Sequence, residues 1–255
     1  MSARCRLVAL HGFLGRASDW DALGPLFPDA TMAAVDLWAM LASPGAADWA
    51  SVGRALDGAL AEATGGDAAG PVFVIGYSFG ARLALSSRLL AAPGSPVRGC
   101  CFVSCNPGYE EDDDGARATR RASDETWARR ILEWPEPEIW RAWDAQPVFQ
   151  GSGPPLPRLG LPAPRAVLAT ALRRFSLGAQ PDFRPRLHAW PSPVLWITGA
   201  LDTKFTALAR ELASGGVPAT YMTCAGAGHR VPWDNPASFG HAVRTWMAQV
   251  METSR

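Results

Sequence analysis

Six short runs rich in apolar and β-branched residues punctuate the chain: CRLVALHG (5–12), TMAAVDLW (31–38), PVFVIG (71–76), RGCCFVSC (98–105), PVLWITG (193–199) and PATYMTC (218–224). Between them, DWASVGRALDGALAEA (48–63) and ARLALSSRLLAA (81–92) carry apolar residues at helical spacing. Near-continuous apolar strands alternating with helices predict a mostly parallel sheet covered by helices on both faces, an α/β fold. The alternation stops between about 108 and 190. That segment opens on the acidic run EEDDD (110–114), continues as basic helical sequence and holds a Pro/Gly-rich loop, GSGPPLPRLGLPAP (151–164). Lying between strands, it predicts a helical cap inserted into one core: core over 1–107, cap over 108–190, core again over 191–255.

Composition narrows the partners. With 48% hydrophobic residues and 11 Trp the chain can bury a substantial core. Lys plus Arg equals Asp plus Glu, 24 each, so no global charge draws it to nucleic acid or an anionic membrane. The apolar run Leu7–Leu10 ends at His11-Gly12, too short for a signal-peptide core, and no other run approaches a membrane span. Five cysteines form no CxxC pair, and three lie on or beside one apolar run. Reduced thiols in the cytoplasm are the expectation. No His/Cys cluster has metal-ligand spacing, so no residue pattern argues for a metal.

Gly76-Tyr77-Ser78-Phe79-Gly80 matches G-x-S-x-G directly after the strand-like VFVI and directly before a helical pattern. A serine on a tight strand-to-helix turn needs small neighbours two residues away on each side. Its hydroxyl then projects above the carboxyl edge of the sheet, and the N–H of Phe79 points at developing negative charge. LHGFLG (10–15) follows the first strand, where this architecture places its second oxyanion donor, the N–H of Phe13. Asp202 follows VLWITG by three residues, and His229 stands in GAGHRV after the last strand. Ser78, Asp202 and His229 occur in the α/β-hydrolase order. Asp202 also fits a helix N-cap before FTALARELA, and His11 fits a structural place behind the oxyanion loop.

Arg82 adds something that an esterase for neutral acyl groups does not need. Four residues after Ser78, it lies one helical turn on and on the same face. A substrate bearing carboxylates would gain a bidentate partner there; a structural ion pair is the alternative. Further cations occur in the cap (Arg117, Arg120, Arg121) and after the acid (Lys204). Arg117, Arg129 and Arg130 read as a solvated face, and the acidic run before them suits a helix N-terminus.

The strings GYSFGARLAL, RRASDETWARRILE, WDAQPVF, SLGAQPDFRPRL and GALDTKFTALARELA resemble the 2-succinyl-6-hydroxy-2,4-cyclohexadiene-1-carboxylate synthases of menaquinone biosynthesis, from about residue 7 to 236. The resemblance implies a polycarboxylate site at Tyr77, Arg82, Arg120, Trp143 and Lys204. It implies one more arginine, Arg158 or, in reserve, Arg165. It implies a lyase that eliminates pyruvate from 2-succinyl-5-enolpyruvyl-6-hydroxy-3-cyclohexene-1-carboxylate without a metal or organic cofactor, with Ser78 as base and the Phe13 and Phe79 N–H groups holding enolate charge. The triad alone serves equally a carboxylesterase or thioesterase for an acidic substrate, working through an acyl-serine. A ligand receptor with vestigial chemistry is a third reading, against which the complete triad weighs. Three departures stand out: DLWAMLASPG (36–45) where the family has DLPGHG, Pro232 where a second histidine is common, and SCNPGY (104–109) after the fourth strand.

Overall fold

Successive residues of a strand point to opposite faces, and here both faces are apolar. A computed structural model describes residues 5–64, 70–157 and 160–253. Strands β1 (Cys5–Leu10), β2 (Ala30–Val35), β3 (Val72–Tyr77), β4 (Val97–Val103), β5 (Val194–Gly199) and β6 (Thr220–Cys224) form one parallel sheet in the order β2-β1-β3-β4-β5-β6. The four inner strands are buried almost throughout, whereas β2 and β6, at the edges, keep exposed positions.

Alternation divides the core in two. Leu7, Phe73, Ile75, Cys101 and Leu195 share one cluster with Trp20, Phe239 and Trp246. Val8, Val74, Cys100, Phe102 and Trp196 share the other with Leu56, Leu60, Leu83 and Leu212. The α-helices among the described residues are α1 (Leu37–Ala42), α2 (Trp49–Thr64), α3 (Phe79–Ala84), α4 (Asp114–Glu133), α5 (Glu136–Asp144), α6 (Arg165–Arg174), α7 (Arg184–His188), α8 (Thr203–Ser214), α9 (Val231–Asp234) and α10 (Pro236–Thr253), and Trp20 lies in the 3-10 segment Ala17–Leu26. Helix α10 covers the first face; α2, α3 and α8 cover the second. The segment between β4 and β5 contains helices α4 to α7 and no strand among the described residues. Among the described residues no helix is long and apolar enough to cross a membrane. All five cysteines are unpaired and buried.

Helix α3 ends at Ala84, well short of the helical pattern that runs to Ala92. Two serines explain the stop. Ser86 Oγ donates to the Leu83 carbonyl (2.6 Å) and Ser87 Oγ to Asp57 (2.6 Å), and such side-chain bonds compete with helix continuation. The acidic run does start a helix: Asp113 caps α4 through a 2.9 Å bond from the Ala116 N–H.

From β1 the chain moves outward to β2 and then returns past β1 to β3. Strand order therefore reverses between β1 and β3, and the loops leaving their carboxyl ends face each other across a crevice. His11 fixes the first of these loops. It is wholly buried; its Nδ1–H donates to the Gly12 carbonyl (2.9 Å) and its Nε2 accepts from the Leu37 N–H (3.2 Å). Burial pushes its pKa down to about 4, with the Gly12 bond and Asp36 opposing.

That burial makes stability pH-dependent. A histidine whose folded pKa is depressed contributes stability above its unfolded value, near 6.5, and loses it as pH falls toward 4. The loss should approach about 3 kcal/mol at pH 4. Urea melts from pH 7.5 to 4 on the protein and on His11→Gln, which keeps an acceptor for Leu37, check this: the variant should lose less stability over that range.

Candidate active site

The turn after β3 carries the site. Ser78 adopts φ +49°, a left-handed region rare for residues other than glycine. Its neighbours explain how the strain is tolerated. A Cβ at Gly76 would lie 2.6 Å from the Ala81 Cα, and one at Gly80 would lie 2.6 Å from the His11 carbonyl oxygen. Strand β3, helix α3 and the end of β1 therefore meet backbone to backbone, and only glycine fits at either position.

Ser78, Asp202 and His229 come together from three loops. His229 Nδ1–H donates to Asp202 Oδ2 at 2.7 Å, and Ser78 Oγ–H donates to His229 Nε2 at 3.1 Å. The carboxylate at Nδ1 fixes the tautomer that leaves Nε2 free to take a proton. Asp202 is also the N-cap of α8, its Oδ1 accepting from the Phe205 N–H at 3.2 Å. Both roles fit one carboxylate because each oxygen has its own donor. Ser104, the last link behind His229, has φ +48° and donates its Oγ to the His229 carbonyl at 2.8 Å.

A cavity of about 580 Å³ opens over the serine, lined by Ser78, Phe13, Phe79, Asp202 and His229 on one side and by residues of α4, α5 and α6 on the other. Arg82, Arg120, Trp143 and Lys204 all reach it. Arg82 keeps part of its surface open toward this space while its charge lies deep in the protein. Its Nε donates to Gln180 Oε1 (2.6 Å) and its Nη2 to the Phe175 carbonyl (2.7 Å), with the guanidinium 5.5 Å from the centre of the Trp49 ring. Among the described residues no carboxylate pairs with it. Burial, and then repulsion from Arg120, push its pKa down to about 9. A cation so placed is short of an anion. Arg120, by contrast, is paired with the buried Asp124 (2.9 Å).

Of the other expected site residues, two are placed away from this cavity and one is not described. Tyr77 does not line this cavity: strand alternation puts it on the face of Phe73 and Ile75, where its ring packs 5.0 Å from Trp233 and 5.7 Å from His229. Arg165 is turned away, donating to the carbonyls of Ile131 and Trp134 and so tying α6 to the end of α4. Arg158 lies outside the described residues. Arg117 is not a solvated charge either. It donates to the carbonyls of Gln180, Tyr109 and Glu110, stapling the SLGAQ turn to α4.

Two groups at the site carried no sequence signal of their own. Gln180 is wholly buried, its Nε2 donating to the Asn106 carbonyl (3.0 Å), which leaves its Oε1 aimed at Arg82. SLGAQPD carries the family resemblance, yet nothing in its spacing singles out the glutamine. Ser104 could have been suspected only from the small residues that follow β4.

Residues 7–242 match the model of a family described as the Alpha/beta hydrolase family. The chain is 34% identical to a 2-succinyl-6-hydroxy-2,4-cyclohexadiene-1-carboxylate synthase of Salmonella agona (strain SL483), over 91% of this chain and 89% of that one. It is 35% identical to the enzyme of the same name from Salmonella paratyphi C (strain RKS4594), with the same coverage. Among solved structures, MenH from S. aureus superposes with a TM-score of 0.83 at 22% identity, covering 98% of this chain and 96% of that one. A thermophilic esterase from Thermogutta terrifontis superposes with a TM-score of 0.69 at 18% identity, covering 98% and 92%. At these identities the two structures establish the fold alone.

The double duty of Asp202 can be separated. Asp202→Asn should keep the α8 cap but present an N–H to His229 and select the wrong tautomer. Turnover through Ser78 should then fall about ten-thousand-fold with the melting temperature nearly unchanged. Asp202→Ala should lose comparable activity and also about 1 kcal/mol of stability from the missing cap. Thermal melts beside activity measurements distinguish the two.

Proposed function

We propose, for a chain that belongs to the alpha/beta hydrolase family and within it to the 2-succinyl-6-hydroxy-2,4-cyclohexadiene-1-carboxylate synthases, an assignment of its residues to that lyase reaction. The enzyme is a carbon–oxygen lyase on a hydrolase scaffold. It eliminates pyruvate from 2-succinyl-5-enolpyruvyl-6-hydroxy-3-cyclohexene-1-carboxylate. Ser78 removes a ring proton, which passes to His229 while Asp202 holds the resulting imidazolium. The N–H groups of Phe13 and Phe79 receive the negative charge that develops on the succinyl carbonyl. The electron pair of the broken C2–H bond, held first as the enolate, forms the C2=C3 double bond while the C3=C4 pair shifts to C4=C5 and the C5–O bond to the enolpyruvyl group breaks. Enolpyruvate departs, recovers the proton and becomes pyruvate. The residues 108–190 are the cap over this site.

Arg82 is the observation that carries the reading. A guanidinium deep in the protein, held by a glutamine oxygen and a carbonyl and crowded by Arg120, costs stability unless an anion arrives. With Nε and one Nη2 proton engaged, it offers its Nη1/Nη2 end to a carboxylate. Arg120 and Lys204 reach the same space, and the aromatic faces of Trp143 and Phe13 suit a cyclohexene ring. The substrate is accordingly a small polycarboxylate. Five unpaired buried thiols support a cytoplasmic site of action.

Two experiments test this. Supplied with the enolpyruvyl substrate, the protein should release pyruvate, and Ser78→Ala should abolish the release, by up to about a million-fold if the triad acts as one unit. An acyl-serine adduct detected by mass spectrometry, without pyruvate, would overturn the elimination. Arg82→Ala should lower kcat/KM for the polycarboxylate roughly ten- to a hundred-fold while leaving a small neutral ester nearly unaffected. Arg82→Lys should recover only part of the loss, because an ammonium lacks the planar fork. Equal losses on both substrates together with a lower melting temperature would assign Arg82 a structural role instead.

A further inference from the structure

Arg230 directly follows the histidine of the relay, yet its side chain turns away from Ser78 and into the insertion. Its guanidinium forms an ion pair with Asp144 at the end of α5 and lies 4.1 Å from the centre of the Phe149 ring. Its backbone N–H donates to Ser152 Oγ at 3.2 Å. Only 9% of the residue is exposed, so these contacts are largely shielded from solvent. Asp234 in α9 completes the junction, one oxygen accepting from the Gly153 N–H and the other from the Gly228 N–H, each at 2.9 Å. The two loops touch so closely that a Cβ at Gly228 would lie 2.6 Å from Ser152 Oγ.

Phe149 gives this junction a consequence for the reaction. Its ring lies 5.7 Å from the His229 ring and 6.3 Å from that of Trp143, and all three line the cavity over Ser78. Behind Phe149 and Trp143 lies a second gap of about 50 Å³, which Arg230 also borders. Packing from behind is therefore incomplete, and the wall has room to retreat.

We propose that Arg230 is a positioning residue that clasps the Asp144–Gly153 stretch of the insertion onto the histidine loop, holding Phe149 in place so that the cavity fits a ring-bearing substrate. The ring-bearing substrate rests on the lyase reading above; the clasp itself does not. Arg230 acts through Phe149 and touches no reacting atom. Loosening the clasp weakens the fit of the ring while the relay of Ser78, His229 and Asp202 stays assembled, so KM changes more than kcat.

Hydrogen exchange and kinetics on Arg230→Leu and Asp144→Asn test the proposal. Both variants should exchange the Ser152 and Gly153 amides at least about ten-fold faster than the unmodified protein, as local opening becomes easier. Both should raise KM for the cyclohexene polycarboxylate about ten-fold, the scale of a lost charge-assisted contact, with kcat within about three-fold. Arg230→Lys, which keeps the charge for Asp144 but not the flat face for Phe149, should recover part of both effects. In a double-mutant cycle, Phe149→Ala combined with Arg230→Leu should add little to either change alone. Unchanged exchange in both variants overturns the clasp, as does a KM rise in Arg230→Leu that Asp144→Asn lacks, because the effect would then run through the neighbouring histidine. If Arg230→Leu does not fold, Asp144→Asn carries the test on its own. An unmodified protein that releases no pyruvate defeats the lyase reading, while the exchange comparison still decides the clasp.

Discussion

The site depends on one strained turn. Ser78 can hold φ +49° only because Gly76 and Gly80 let β3, α3 and the end of β1 approach backbone to backbone. Phe79 and Phe13 line the same cavity as Ser78, at the point where strand order reverses. The other loops are arranged around this point. Asp202 leaves β5 as a helix cap, His229 follows β6, and Ser104 at the end of β4 holds the histidine backbone. The relay is thus built from the carboxyl ends of neighbouring strands, each contributing one group to a common centre.

On the proposed reading, electrostatics turns this general scaffold toward a particular substrate. A relay and two N–H donors can stabilise an enolate as readily as a tetrahedral oxyanion, since both are oxygen-centred negative charge. What differs is the wall opposite. Asp202 and Asp124 are already occupied, by His229 and Arg120, so the positive charge of Arg82 is left to act on whatever enters. The cost of burying Arg82 is only partly offset by Gln180 and the Phe175 carbonyl, neutral acceptors that hold the guanidinium without cancelling its charge. A carboxylate in place of Gln180 would satisfy the same geometry and remove the reason for the cavity to bind an anion.

The helical insertion supports the site from two directions. At one end α4 grips the turn that carries Gln180, through Arg117 and its three carbonyl partners, and so orients Arg82. At the other end Asp144 and the loop to Gly153 meet Arg230 and Asp234 beside the histidine. On the proposed reading, charge recognition and ring recognition would therefore be set by separate contacts, one within this segment and one between it and the histidine loop.

Much of this was legible in the chain itself. Apolar alternation, glycines two residues either side of Ser78, and the order Ser78, Asp202, His229 are local demands of backbone geometry, and local demands leave local marks. Strand period also places Tyr77, two residues beyond Ile75, on the same face. The early end of α3 rested on two serines whose hydroxyls found better partners than helix continuation offered. Tertiary structure decided the rest. The partners of Arg82 lie 93 and 98 residues further on, and Asp144 lies 86 residues before Arg230. Nothing in a run of residues records which distant carbonyl or carboxylate will meet a given arginine. The same side chain becomes a staple in Arg117 and Arg165 and, as proposed, a clasp in Arg230 and an anion receptor in Arg82, according to which neutral or charged group the fold brings within hydrogen-bond distance of it.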